Sequence, residues 1–156
     1  RPELRFLGFE VKTKGCAELL KRVDKLDVSN VRLAQCDARP VLAYECAEKS
    51  LDAVHVNFPD PWWKKRHRKR RVLSDANIRQ FSRALRVGGR LHFWTDVLDY
   101  FELTVELIAE IAPELGVPLP ETQRDSSHDL DYHTHFERRS RKFGIPVYRV
   151  CYRKRA

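Results

Sequence analysis

Methionine is absent from these 156 residues, and the chain opens on Arg1-Pro2, so its natural start is expected upstream. No apolar run approaches the roughly 20 residues of a membrane-spanning helix, and no secretory signal pattern opens the chain. The four cysteines, Cys16, Cys36, Cys46 and Cys151, include no C-x-x-C pair, and no histidine stands at zinc-ligand spacing from any of them. That argues against a zinc module and leaves reduced, mostly buried thiols of a cytoplasmic protein as the expectation. His128, His133 and His135 lie close together, but in a polar stretch that reads as a loop, so no metal is expected. No segment repeats, and low complexity is confined to one basic block.

That block is the strongest feature present. Residues 57–71 read NFPDPWWKKRHRKRR, and positions 64–71 hold seven Lys or Arg with no acid among them. Formal net charge is +8; without those seven cations, 23 Lys and Arg face 22 Asp and Glu. The excess is therefore local, with a smaller basic tail at Arg153-Lys154-Arg155. A solvated helix face mixes signs, whereas a run of one sign suits a polyanion, of which nucleic acid is the commonest. The bland alternative is a disordered basic loop with no partner.

Apolar patterning alternates strand and helix. Strands are expected at 5–10 (RFLGFE), 31–35 (VRLAQ), 51–58 (LDAVHVNF), 90–95 (RLHFWT) and 146–152 (PVYRVCY). Helices are expected at 17–26, at 38–47 despite Pro40, from an N-cap at Ser74-Asp75 to about Arg86, at 97–111, and around 136–142. Gly88-Gly89 would end the third helix, and Pro113, Pro118 and Pro120 would stop the fourth. With 42% hydrophobic residues the chain suits one globular domain over residues 1–156. Strands apolar throughout, alternating with helices, imply α/β architecture: a mostly parallel sheet with helices on both faces.

In open α/β sheets, ligands bind beyond the carboxyl ends of the strands. Four expected strands end at or near an acid: Glu10, Asp37, Asp60 and Asp96. Any one of them reads as a turn former; four in register suggest one ligand-binding rim. An acid ending a second strand commonly accepts from ribose hydroxyls, the role assigned to Glu10; this does not separate NAD from S-adenosylmethionine. The glycine-rich turn that should precede it is missing, since neither Gly8 nor Gly15 follows the right strand. The first strand and its loop are therefore expected upstream, leaving the domain N-terminally incomplete.

Residues 57–71 closely resemble the signature of the bacterial tRNA (guanine-N7)-methyltransferases, F-P-D-P-W-x-K-x-R-H-x-K-R-R. Further pieces agree in order: G-F-E ending at Glu10, D-A at Asp37, G-G-x-x-x-x-x-T-D ending at Asp96, and T-x-F-E-x-R from Thr134. The resemblance implies a Rossmann-like class I methyltransferase with S-adenosylmethionine as cofactor. The implied reaction moves a methyl to N7 of a variable-loop guanine in tRNA, by a cytoplasmic monomer or homodimer. It implies cofactor-binding roles for Glu10, Asp37 and Asp60, with Asp60 also catalytic. Lys64, Asp96, Thr134, His135, Phe136 and Glu137 match substrate-binding positions. Arg66, His67, Arg68, Lys69, Arg70 and Arg71 match the RNA-contacting segment. The family's glycine loop and one further cofactor acid have no counterpart here, and Trp63 fills a variable position.

Guanine N7 carries an in-plane lone pair and no proton, so the reaction needs positioning rather than a strong base. Asp60, pinned between Pro59 and Pro61, suits charge stabilisation and orientation of the purine. Trp62 reads better as a packed anchor than as a base-stacking ring; for Trp63 both readings stand. Thr134 and Glu137 also fit a capping box. A non-catalytic RNA-binding module is the alternative function, and a nucleotide-cofactor oxidoreductase gives the cation block no role.

Overall fold

The computed structural model describes residues 3–121 and 135–156. It divides into two compact units, Arg1–Glu45 and Cys46–Ala156.

In the first unit, strand β1 (Phe6–Phe9) leads into helix α1 (Thr13–Leu26), which returns the chain to strand β2 (Val31–Ala34). The strands pair in parallel, Phe6 beside Val31 and Phe9 beside Ala34, and a Glu10 N–H to Ala34 carbonyl bond of 3.2 Å extends the ladder. Helix α1 stops at Asp27, which adopts a left-handed conformation (φ 48°) and returns its N–H to the helix end. Helix α2 (Ala38–Pro40) starts from Asp37, whose side chain accepts from the Arg39 N–H, and runs on as a π turn, Val41–Glu45. Pro40 sits in the first turn, where its missing N–H leaves no bond unmade, so the helix expected there forms.

The second unit contains β3 (Leu51–Asn57), α3 (Asp75–Ala84), β4 (Leu85–Thr95), α4 (Leu98–Ile111), β5 (Leu119–Pro120), α5 (His135–Phe143) and β6 (Tyr148–Arg153). Its sheet runs β3-β4-β6-β5. The β3–β4 pair is parallel, and β6 lies antiparallel to both β4 and β5. Alternation along β4 sends Leu91, Phe93 and Thr95 into the core, each fully buried. Helix α4 covers that face, with the Tyr100 ring 5.8 Å and the Phe101 ring 5.9 Å from Phe93. Helix α3 adds Ile78, Phe81 and Ala84 to the core. Lys154 of the basic tail turns inward, its Nζ donating to the Ser82 and Leu85 carbonyls at 2.6 and 2.9 Å, which ties the end of α3 to the strand after it.

The boundary between α3 and β4 departs from the sequence reading. Helix α3 ends at Ala84, and β4 begins at Leu85 instead of Arg90, so Gly88-Gly89 lie inside a strand. Leu51 pairs with Leu85 but Ala53 pairs with Arg90, a bulge that accommodates the extra residues. Gly88 takes φ +79°, and a Cβ on Gly89 would meet the Arg86 carbonyl at 2.8 Å. These glycines serve the bulge rather than a helix stop.

The opposite face of the sheet carries a polar row. His55 of β3 and His92 of β4 are register partners and stack with ring centroids 4.2 Å apart. His92 Nδ1 lies 2.9 Å from Glu121 Oε1, and Trp94 Nε1 donates to Glu121 Oε2 at 2.7 Å. Surrounding protein atoms, and then the charge on His92, push the His55 pKa down from 6.5 to about 4, against the pull of Glu121. Between those values the unfolded chain takes up a proton that native His55 refuses. Because the residue is partly open to solvent, its contribution to stability is small, full above about 6.5 and lost as pH drops toward 4. Thermal unfolding followed across that window should show a falling midpoint, and His55→Gln should flatten the fall. An equal slope in the variant would remove His55 as its cause.

Candidate active site

Within the second unit, β3 and β4 run in parallel with Asn57 beside Trp94, so the segments carrying Asp60 and Asp96 leave the sheet at one edge. The exit from β3 is strained. Phe58 and Trp62, on either side of Pro59-Asp60-Pro61, take φ values of 50° and 44°. For bulky residues this region costs on the order of 1–2 kcal/mol each. The strain is held from outside at one end, where the Phe58 N–H donates to the Trp94 carbonyl at 2.7 Å, and from within at the other, where the Trp62 N–H donates to Asp60 Oδ1 at 3.0 Å. Asp60 is solvent-exposed, with its carboxylate set by its own turn.

The basic run takes helical form within the loop that joins β3 to α3. Lys65–Arg70 forms a six-residue 3-10 helix after Lys64, unusually long for that geometry. Three residues per turn bring His67 and Arg70 to one side. The Trp62 ring meets both, with His67 edge-on at 5.4 Å and the Arg70 guanidinium at 5.2 Å. Trp62 thus anchors the loop by packing. Trp63 is 46% exposed, and one edge rests on Tyr100 at 6.3 Å. Lys64, Arg66, Arg68, Lys69 and Arg70 are exposed, whereas His67 and Arg71 are half-buried.

Tyr100, which the sequence reading did not single out, lies under this loop. It is 1% exposed, and burial raises its pKa to about 12, against the pull of Arg71 and with a further rise from the Asp60 charge. Asp96, half-buried, follows Thr95, whose Oγ1 accepts the Val97 N–H at 3.2 Å. Thr134 lies outside the described residues, and with it the capping-box reading. His135, Phe136 and Glu137 open α5.

In the first unit, Glu10 and Asp37 follow the parallel strands β1 and β2 at their common edge. Glu10 Oε1 accepts the Lys12 N–H at 2.8 Å. A Cβ on Gly15 would sit 3.0 Å from the Glu10 Cγ, so this glycine makes room for the acid. Asp37 is paired with Arg39, whose Nε donates to Oδ2 at 2.8 Å, and that hydrogen bond holds the Asp37 pKa below its usual value. Cys16 is buried, and the other three thiols are free and half-buried. Among the described residues, no helix is long and apolar enough to cross a membrane.

Residues 1–150 match the model of a family described as "Putative methyltransferase". The chain belongs to that methyltransferase family. It is 68% identical over 161 residues to a tRNA (guanine-N(7)-)-methyltransferase of Rhodopirellula baltica, covering 100% of this chain and 59% of the relative. It is 37% identical to a protein of the same name from Methylobacillus flagellatus, covering 99% and 64%. The chain therefore spans about three fifths of the length of these curated relatives. A Streptococcus thermophilus rRNA methylase superposes with a TM-score of 0.62 at 14% identity, covering 97% of this chain and 74% of that one. A Streptococcus mutans structure in complex with SAH gives 0.61 at 13% identity, covering 96% and 76%. The fold is that of the Rossmann-like class I methyltransferases, as the resemblance implied.

Proposed function

We propose that the protein to which this chain belongs transfers a methyl group from S-adenosylmethionine to N7 of a variable-loop guanine in tRNA, in the cytoplasm. The observation that carries the reading is the 57–71 segment. One short stretch sets an exposed carboxylate in a doubly strained turn and runs directly into a helix of cations. The 68% identity to a relative bearing that activity in its name supports the same substrate.

Glu10 and Asp37 suit the cofactor's adenosine: both are carboxylates at one sheet edge, and Gly15 leaves space beside the first. When bound, S-adenosylmethionine supplies an electrophilic methyl on a sulfonium. The remaining work falls to the chain's own groups. Guanine N7 attacks with a lone pair and gives up no proton, so Asp60 acts as an orienting acceptor and a counter-charge for the purine. Lys64 and Asp96, with Thr134, His135, Phe136 and Glu137, take the nucleotide; Arg66, His67, Arg68, Lys69 and Arg70 line up for the tRNA backbone. Phosphate contacts of this kind give affinity and register, and base choice comes from the pocket and tRNA shape.

The test is methyl transfer by the intact protein to unmodified tRNA, with the product base mapped. Label at N7 of a variable-loop guanine is the expected result. Label at another position, or none, overturns the assignment.

A further inference from the structure

Arg71 closes the basic run, and sequence alone groups it with the cations that meet RNA. Its surroundings are different. Its Nε donates to the Pro61 carbonyl at 2.7 Å, across ten residues of chain and onto the proline that follows Asp60. Its guanidinium carbon lies 5.6 Å from the Trp63 ring centroid and 5.5 Å from that of Tyr100. Its backbone is held from α3: Asn77 Nδ2 donates to the Arg71 and Val72 carbonyls at 3.2 and 2.9 Å. Leu73, two residues on, is 1% exposed. The residue is thus fixed at its main chain and clasped at its head by two rings and one carbonyl.

Building on the methyl-transfer reading, we infer that Arg71 is a positioning residue that holds the Pro-Asp-Pro turn and Trp63 in place, not a contact to RNA phosphate. The chemistry selects arginine. A guanidinium can lie within cation–π range of two rings while its Nε–H serves a carbonyl; a lysine ammonium, a point charge, has neither the plane nor the fork. The Pro61 carbonyl is adjacent to Trp62, the residue at φ 44°, so the bond restrains the strained end of the turn. Losing it lets Asp60 shift without removing any acid or any outward-facing cation.

The experiment compares Arg71→Lys and Arg71→Gln with Arg68→Gln in the intact protein. It measures kcat and KM for tRNA, the slope of log affinity against log salt, and acrylamide quenching of tryptophan fluorescence. Arg71→Lys should lower kcat roughly 10- to 100-fold, as expected for a small misplacement of a reacting group, with KM for tRNA unchanged. Arg71→Gln should leave the salt slope at the wild-type value, whereas Arg68→Gln should reduce it by about 0.7–0.9. Both Arg71 variants should quench more readily, because Trp63 loses its cover. Wild-type kcat in Arg71→Lys, or a slope in Arg71→Gln reduced like that of Arg68→Gln, overturns the inference. The quenching comparison needs no methyl transfer, so an inactive wild type would count against the proposed reaction and leave this arm to decide on Arg71.

Discussion

Asp60→Asn is expected to cut kcat for methyl transfer by about 10²–10³ while tRNA affinity stays close to wild type. The magnitude is that of removing one pre-organised electrostatic group from a transition state. The reasoning starts at the turn. Asp60 Oδ1 accepts the Trp62 N–H at 3.0 Å, and an asparagine carbonyl oxygen can accept the same bond. The substitution therefore keeps the bond that holds the strained Trp62 and deletes the negative charge alone. Positive charge develops on the purine as N7 is alkylated, and only a carboxylate opposes it. Asp60→Ala removes both the charge and the turn bond, so it should also lower the thermal midpoint, which Asp60→Asn should not. The checks are steady-state kinetics with saturating tRNA, a direct binding titration and a thermal melt on each variant. Full activity in Asp60→Asn would end the electrostatic role, and lost tRNA binding would place Asp60 among the substrate-gripping groups instead.

The parts of this site that were legible in the sequence are those set by local chemistry. Prolines around Asp60, an acid at each strand end and an acid-free run of cations can be read without coordinates. The run's helical form was not legible, because like charges along one short segment argue against a helix unless neighbours hold it. Trp62, lying against His67 and Arg70, is such a neighbour. Tyr100 was missed for a related reason. Apolar spacing in α4 suggested a face through Leu98, Phe101, Val105, Ile108 and Ala112; Ile108 and Ala112 are buried as that spacing implies, but Tyr100 and Thr104 take the other fully buried places. Thr104 interrupts the apolar pattern at i+4 and so rotates the apparent face. Leu98 is left 43% exposed.

The strand boundaries teach the same lesson. Gly88-Gly89 carry the signature of a helix end, and only the pairing of Leu51 with Leu85 reveals a bulge inside β4. Long-range register is invisible to a local reading. Ser74, by contrast, occupies the N-cap position of α3 as expected, yet its side chain makes no cap bond. Its carbonyl accepts the Ile78 N–H at 2.8 Å, so position was legible and the bonding was not.

Neutralising the outward cations should act on binding instead of chemistry. In a 3-10 helix residues three apart eclipse, which sorts Lys65–Arg70 into columns. His67 and Arg70 face Trp62, leaving Arg66 with Lys69, and Lys65 with Arg68, on the remaining sides. Arg66, Arg68 and Lys69 are exposed, and the sequence between Asp60 and Asp75 holds no acid. Changing these three to Gln should reduce the salt slope of tRNA binding by about 2–3, at roughly 0.7–0.9 for each phosphate no longer neutralised. At moderate salt, affinity should fall on the order of 100-fold, with turnover at saturating tRNA largely kept. Adding Arg70→Gln should cost turnover as well, since that side chain also covers Trp62. Binding titrations over a salt series decide the matter: an unchanged slope in the triple variant means that these charges do not meet the phosphate backbone.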